Sequence, residues 1–167
     1  MELSLSNMFA KKNIREELLA FEEQLKGQEG HLVGDSELCP LKHSFADGFY
    51  VREIFIPKGL YLVGKIHKHE HPNFLMSGVV EIVTEEGSTT LIGPCAMISP
   101  PGTKRALRSI TDLVWITVHL NPTNTQDIAE LEKTVIAESF EVYDKFRKRI
   151  ESKPVSIWNK LIKKLTI

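Results

Sequence analysis

The feature that most constrains the fold of this chain is a series of short apolar segments between residues 50 and 120. The segments are rich in β-branched and aromatic residues, which favour strands. Residues typical of turns separate them, as in Pro57-Lys58-Gly59 and Pro100-Pro101-Gly102. Many short strands at this spacing predict an antiparallel sandwich or barrel. The predicted strands are 50–57, 61–67, 74–84, 89–93, 96–99, 105–110 and 113–120.

A helical pattern precedes this β-rich region. Residues 12–26 place apolar side chains near helical spacing, and Gly27 is a typical helix end. Residues 28–48 contain several glycines and a proline, so they predict a loop.

A second helical pattern follows the last predicted strand. Thr123 and Gln126 fit a capping box, and an apolar stripe continues from there to about Ile150. Pro154 ends that helix, and residues 155–166 predict a short basic amphipathic helix. The predicted organisation is an N-terminal helix and loop over 1–47, a β-barrel over 48–122, and C-terminal helices with a basic tail over 123–167.

Charge is distributed unevenly along the chain, whose net charge is −1. Residues 145–167 hold eight Lys or Arg and one Glu, a local charge of +7. A basic tail can meet nucleic acid, an anionic membrane surface or the acidic face of another copy. Nucleic acid is the least favoured partner, because the β-rich region offers no basic and aromatic face to support it. Contact with a membrane surface through the basic C-terminal helix is a minor alternative.

The sequence also indicates the compartment. No apolar run approaches the roughly 20 residues of a membrane-spanning helix, and residues 1–13 lack the apolar core of a secretory signal. The two cysteines, Cys39 and Cys95, cannot form a disulfide framework and are expected as buried thiols. We therefore expect a cytoplasmic protein, or one of the host cytoplasm if the chain is viral.

The residues most suggestive of chemistry are the three histidines of the sequence HKHEH at 67–71. Alternate side chains of a strand share a face, so His67, His69 and His71 can point the same way. Three imidazoles on one side of a barrel form a site for a transition metal such as Zn, Fe, Mn, Ni or Cu. The alternative is an exposed, polar strand end without a site.

Around these histidines the sequence resembles the two motifs of the cupin superfamily. The first cupin motif contains H-x-H, an acidic residue and a closing glycine, and Gly59 through Gly78 follows that order. The second contains P-x-G, matched by Pro100-Pro101-Gly102, and then a histidine. The resemblance covers about residues 48–122, and the wider pattern is similar to small cupin-like proteins of bacteriophage and bacterial genomes. It implies a mainly β chain with a single double-stranded β-barrel, or jelly roll, flanked by N-terminal and C-terminal helices.

This resemblance keeps only part of the cupin ligand set, and two registers are open. In the first register, counted back from Gly78 and forward from Gly102, the four ligand positions fall on Lys65, His67, His71 and Arg105. A second register, shifted by two residues, uses His67 and His69, with Asn73 at the acidic position. Neither register supplies a carboxylate.

His119 is the candidate that completes a metal site. It lies on the predicted strand 113–120 with Trp115 and Thr117 on the same face, and the last strand of such a barrel can neighbour the motif strands. Three histidines leave a coordination position open for a substrate. We therefore predict a divalent transition metal, one of Zn, Fe, Mn or Ni. The predicted ligands are His67, His71 and His119, with His69 as an alternate or outer ligand.

The cations near the motifs suggest another pocket, which holds an anion without a metal. Lys65, Lys104 and Arg105 are its candidates, because lysine and arginine bind carboxylate or phosphate groups. Lys104 and Arg105 are alternatively a surface pair after a turn. Asn73 and Glu53 are further ligand-binding candidates, Glu53 as a general base if its side chain points inward.

Together these residues favour a metal-binding, cupin-like protein whose pocket holds a small anionic molecule. Whether it is a metalloenzyme stays open, since this fold does not specify a reaction. The alternative is a non-catalytic interaction or assembly protein of the phage type, with the barrel as scaffold and the helices binding a partner. We also expect a homodimer or higher homo-oligomer, because the C-terminal helices carry apolar stripes and cupin barrels often pair.

Overall fold

The computed structural model describes residues 4–9, 13–28 and 36–152. The described chain is mainly β, with helices on its flanks, as the sequence predicts. None of its helices combines the length and apolar content that crossing a membrane requires. Its elements are a 3-10 turn at Leu5–Met8, α1 (Ile14–Lys26), β1 (Leu41–Ala46), β2 (Phe49–Ile56), β3 (Tyr61–Val63), β4 (Ile66–His67), β5 (His71–Ser77), β6 (Val79–Thr84), β7 (Gly87–Ile92), β8 (Cys95–Ser99), β9 (Ala106–Ser109), β10 (Leu113–Leu120), α2 (Ile128–Val135), β11 (Ile136–Ala137) and α3 (Phe140–Glu151).

Two antiparallel sheets carry the fold. One has five strands in the order β1-β2-β10-β5-β8, and the other has four in the order β3-β9-β6-β7. The short strands β4 and β11 form a separate pair. The predicted antiparallel β architecture is therefore confirmed.

Alternating burial along the strands builds the main core. In β10, Leu113 and Trp115 are buried while their neighbours are partly exposed, as expected for a strand with one face on a core. Burial of one such side chain contributes about 1.5–3 kcal/mol. The buried members of this core are Ile54, Ile56, Leu75, Val80, Ile82, Leu107, Leu113 and Trp115.

Gly78 lies where the chain leaves one sheet for the other. The prediction of one strand over 74–84 is wrong, because β5 and β6 belong to different sheets and Gly78 separates them. Its φ is +94°, a conformation that glycine adopts readily and other residues rarely adopt. An added Cβ would also lie 2.3 Å from the Asp112 carbonyl oxygen. The turn therefore requires glycine.

The N-terminal helix packs on the four-stranded sheet. Helix α1 falls within the predicted span 12–26, and the Gly27 N–H donates to the Glu23 carbonyl at its end. Its side chains Leu18 and Phe21 are buried in a second core, together with Leu5, Val83 and Ala106.

The prediction of a loop over residues 28–48 is wrong for residues 41–46, which form a strand. They form β1, which pairs with β2 from Leu41 opposite Ile54 to Ala46 opposite Phe49. The sheet therefore begins before residue 48. The alternation of Leu41, His43 and Phe45 is a weak signal beside the flanking proline and glycine.

The C-terminal region also differs from the prediction, which expected one helix to about residue 150. The predicted capping box at Thr123 and Gln126 is wrong, because Asp127 caps α2 by accepting bonds from the Ala129 and Glu130 N–H groups.

Strand β11 then interrupts the helical stripe. Its residue Ile136 pairs with His67 of β4, and Ser139 caps the new helix α3. The two helices bury their apolar faces within this chain, through Leu131 and Val135 of α2 and through Phe140 and Tyr143 of α3. Pro154 and the predicted helix over 155–166 lie outside the described residues.

The outer face of the five-stranded sheet is apolar and exposed. It crosses four neighbouring strands, since Phe55 pairs with Val114, and Phe74 pairs with Ile116 and Ala96. The exposed large side chains on this face are Phe49, Phe55, Phe74, Met76, Ile98 and Leu120, between 36% and 65% accessible.

Candidate functional site

Three strands bring the predicted histidines together. His67 ends β4, His71 begins β5 and His119 lies on β10. Because β5 pairs with β10, His71 and His119 lie on adjacent strands, and β11 holds β4 in place through the pairing of Ile136 with His67. The site therefore depends on contacts between distant parts of the chain.

The three imidazoles form a compact cluster. Their possible ligand nitrogens all lie within 4.8 Å of one another. The ring centroids are 4.3 Å apart for His67 and His71, 4.9 Å for His67 and His119, and 4.6 Å for His71 and His119. Since a zinc–nitrogen bond is about 2.0–2.1 Å, small side-chain rotations would bring all three nitrogens onto one ion.

Burial keeps these imidazoles neutral. Desolvation, together with the neighbouring histidines and arginines, lowers the pKa of His67 to about 2. Desolvation likewise lowers the pKa of His119 to about 3, with contributions from His71 and Arg52. Burial also lowers the pKa of His71. At neutral pH the cluster presents neutral nitrogen donors, the form that binds metals.

Local hydrogen bonds orient two of the rings. His71 Nδ1 lies 3.2 Å from the His69 carbonyl oxygen. A carbonyl can only accept, so Nδ1 carries the proton and Nε2 is the lone-pair nitrogen. His119 Nε2 lies 3.1 Å from Thr117 Oγ1. Such outer contacts hold metal-binding imidazoles in place.

Asn73 connects the cluster to the neighbouring wall. It is buried, with its Nδ2 donating to the His71 carbonyl at 3.1 Å and to Ser99 Oγ at 2.8 Å. Its Oδ1 accepts from Trp115 Nε1 at 3.0 Å and from Arg105 Nη1 at 3.3 Å. The amide therefore makes four bonds and has one fixed orientation.

Arg105 lies beside the cluster with neutral neighbours. It donates to Asn73 Oδ1 and Ser99 Oγ, and its guanidinium lies 5.5 Å from the centroid of the Trp115 ring. Burial lowers its pKa to about 10, so it remains a cation at neutral pH. Within the described residues, no carboxylate forms an ion pair with it.

A cavity of about 280 Å³ opens beside these groups. Its polar wall includes His67, His119, Asn73 and Arg105, and the rest is mainly apolar. A volume of this size can hold a small molecule in contact with both the polar and the apolar residues. The apolar lining residues include Ile54, Leu107, Trp115, Leu131 and Val135.

His69 does not join the cluster. The sequence HKHEH is not a continuous strand, because residues 68–70 separate β4 from β5. The exposed ring of His69 packs edge-on against Phe146, with centroids 5.4 Å apart. The prediction of His69 as a ligand disagrees with this placement, and only its carbonyl contributes, to His71.

Three of the predicted ligand-binding residues lie away from the cluster. Lys104 is buried outside the cavity, with Nζ 3.1 Å from Glu22 Oε2 and 3.2 Å from the Gly64 carbonyl, so it anchors α1 instead. Lys65 reaches the cavity rim but is exposed and pairs with Glu132 at 2.5 Å. Glu53 has the strand parity opposite to the cavity-lining residues of β2, so it points outward and cannot act there as a base.

Sequence reasoning missed the inward side chains of β2. Arg52 lines the cavity together with Tyr50 and Ile54. Tyr50 stacks on His119 with centroids 6.0 Å apart, and its hydroxyl lies 2.7 Å from His43 Nδ1. The alternation of Tyr50, Arg52 and Ile54 was the available signal.

Comparisons with known proteins give a likeness at the level of structure. No protein-family model matches the chain, and no curated protein matches it. Among solved structures it resembles a cupin superfamily protein from Desulfitobacterium hafniense, at 9% identity over 53% of this chain and 83% of the other, with a TM-score of 0.44.

Two further solved structures show a similar likeness. The Cupin_2 domain of an XRE family transcriptional regulator from Enterobacter cloacae is 16% identical over 52% of this chain and 99% of the other, with a TM-score of 0.44. KdgF from Halomonas sp. is 14% identical over 55% of this chain and 82% of the other, with a TM-score of 0.43. Cupins are among the structures that the chain resembles.

Proposed function

We propose that this chain binds one divalent transition metal ion through His67, His71 and His119. The observation that supports the proposal is the convergence of three neutral imidazoles, two buried and one half-buried, each with a ligand nitrogen within 4.8 Å of the others. Imidazole is a borderline ligand that suits Zn, Fe and Ni, and Mn is the remaining candidate. Three protein ligands leave at least one coordination position for another molecule.

The second part of the proposal is that the adjacent cavity holds a small anionic molecule. The three imidazoles are neutral, so they leave the charge of a divalent ion uncompensated. Arg105 and Arg52 add positive charge to the same cavity. An anion is therefore the ligand that complements the site. A bound metal would polarise an oxygen of that ligand, which is how such a site serves a metalloenzyme.

Metal content of the purified chain, measured by plasma mass spectrometry, tests the metal site. We expect about one transition metal per chain in the wild type. We expect that metal to be lost when His67→Ala and His71→Ala are combined. The matched control is His69→Ala, which removes an exposed neighbour from the same short segment and leaves metal content unchanged. Absence of metal after reconstitution, or equal loss in the control, contradicts the proposal.

A second candidate function, assembly of copies of this chain, is supported by the outer face of the five-stranded sheet. Phe55, Phe74, Met76 and Ile98 form an apolar surface there, and such surfaces commonly mark interaction sites. A largely apolar face can pair with itself across a two-fold axis, so we propose a second copy as its occupant. The helix stripes are less suited to this role, because they are buried within the chain.

Sedimentation of the wild type and of Phe74→Glu tests this assembly. We expect a dimer in the wild type and a monomer in the variant, since a buried unpaired carboxylate is costly at such an interface. The control Thr89→Glu places the same charge on an exposed residue of β7. A monomeric wild type would contradict the second candidate.

A further inference from the structure

We infer that the cavity binds a small monocarboxylic acid with an apolar body, with the carboxylate on the Arg105 guanidinium and the body against the apolar wall. This inference rests on the proposed small-molecule site and names its ligand class. It does not depend on the metal, because the arginine and the apolar wall are present without one.

Arg105 carries a charge that no described partner balances. Its two hydrogen bonds go to the amide of Asn73 and the hydroxyl of Ser99, and its guanidinium carbon lies 5.5 Å from the centroid of the Trp115 ring, so every described partner is neutral. A guanidinium carries five N–H donors in a planar fork, which leaves donors beyond these two bonds. Partly buried charges are ordinarily balanced by an opposite charge, and a bound carboxylate would supply it.

The acidic residues along the cavity do not compete for this role. Glu132 pairs with Lys65 at 2.5 Å. Glu22 lies 3.1 Å from Lys104 Nζ and 3.9 Å from Lys26 Nζ. Each of these carboxylates is thus matched by at least one lysine.

Much of the lining of the cavity is apolar. Trp115 and Leu131 are 4% and 3% exposed, and both line the cavity together with Ile54, Leu107 and Val135. A sugar phosphate would bring hydroxyl groups against these apolar side chains, where they would lose hydrogen bonds to water without replacing them. An aliphatic or aromatic body instead removes apolar surface from water.

The size of the cavity also favours such an acid. The cavity of about 280 Å³ is roughly twice the ~150 Å³ of a protein cavity that holds benzene. A phenyl ring with a short carboxylate chain fits this volume, whereas acetate would leave most of the apolar wall uncovered. Phenylpropionate is therefore a suitable probe.

Calorimetric titration with matched probes tests the inference. We expect phenylpropionate to bind about tenfold or more tightly than the neutral phenylpropionamide, because a hydrogen bond to a charged group is worth about 1.5–3 kcal/mol. We also expect it to bind more tightly than acetate, which lacks the apolar body, and than inorganic phosphate. Equal affinity for acid and amide, or tighter binding of phosphate, would overturn the inference.

Variants locate the two contacts. Arg105→Gln should remove the preference for acid over amide, and Leu131→Ala should weaken phenylpropionate while leaving acetate unchanged. Arg147→Gln is the control for loss of an arginine, since Arg147 is exposed on α3 and pairs with Glu151. If Arg105→Gln does not fold, Arg105→Lys keeps the charge without the fork and should still lower the preference. A preference kept in the folded Arg105 variant places the carboxylate elsewhere and overturns the assignment.

The same titrations, run with zinc-loaded and with chelator-treated protein, separate this inference from the metal proposal. A preference for acid over amide that persists without metal supports the carboxylate site even if the metal site fails. Stoichiometric zinc bound by the histidines, with no preference for the acid in either form, overturns the carboxylate site and leaves the metal proposal standing.

Discussion

Asn73 holds Arg105 beside the histidine cluster, through a hydrogen bond of 3.3 Å from the arginine Nη1 to the amide Oδ1. The same amide donates to the backbone carbonyl of His71. One buried side chain thereby fixes both the cation and one of the proposed metal ligands.

Replacement of that amide should therefore loosen both groups. Asn73→Ala removes four hydrogen bonds and leaves the Trp115 N–H and the His71 carbonyl without this partner. Each buried group left unsatisfied costs about 1–3 kcal/mol. We expect the free energy of unfolding from urea titration to fall by about 2–4 kcal/mol. The exposed control Thr89→Ala should change it by less than about 0.5 kcal/mol, and an equally stable Asn73→Ala protein would contradict this role.

The indole N–H of Trp115 offers a milder test of the same network. Trp115→Phe keeps an aromatic ring in the core but removes the donor to Asn73 Oδ1. We expect a loss of about 1–3 kcal/mol in the free energy of unfolding, from the hydrogen bond and the smaller ring together. Carboxylate affinity should also fall, because Arg105 packs on this ring. Unchanged stability and affinity would show that the hydrogen bond is unimportant.

Gly102, in the P-x-G sequence, is required for a different reason from that of most turn glycines. Its φ is +82°, and an added Cβ would lie 2.3 Å from the Tyr143 ring. Gly59 has a nearly identical φ of +85° with nothing within 4 Å, so Gly59→Ala is a matched control that measures the backbone cost alone. We expect about 1 kcal/mol for Gly59→Ala and a further 1–3 kcal/mol, roughly, for Gly102→Ala, measured by urea unfolding. Equal losses would mean that helix α3 accommodates the methyl group without strain.

The metal-free protein should lose stability in mild acid. Unfolded histidines titrate near 6.5, whereas burial holds the pKa of His67 at about 2 and that of His119 at about 3 in the fold. Below pH 6.5 the unfolded chain binds more protons than the folded chain, so the free energy of unfolding falls as pH decreases. The slope approaches about 1.4 kcal/mol per pH unit for each such histidine.

Urea titrations of chelator-treated protein at several pH values measure this dependence. His67→Gln removes one titrating group, so its stability should decline less steeply than that of the wild type between pH 6.5 and 5. Parallel curves for the two proteins would show that His67 does not resist protonation in the fold.

Much of the fold could be predicted because local pattern and tertiary burial agree. The alternation of β10 and the helical spacing of α1 point to the faces that the structure buries. Strand β1 could not be predicted from its own residues, because they form strand hydrogen bonds only when β2 pairs with them. The break at Ile136 depends likewise on a distant strand, β4.

The position of a site residue could be predicted only where the spacing along a single strand determines which face its side chain occupies. The alternation of side chains along β10 predicts that His119 and Trp115 share a face, and the structure buries both. The same rule predicts the wrong side for His69, because residues 68–70 do not continue the strand between β4 and β5. Lys104 and Arg105 are adjacent cations, and only the position of α1 determines that one anchors a helix while the other lines the cavity.

The most direct test of the central claim is X-ray absorption spectroscopy of the zinc-loaded protein. The account predicts three imidazole ligands at about 2.0–2.1 Å, completed by one or more oxygen ligands, with the imidazole signal lost when His67, His71 and His119 are replaced by Ala. A spectrum with fewer than two imidazoles, with sulfur ligands, or unchanged in the triple variant would contradict a metal centre built by these three histidines.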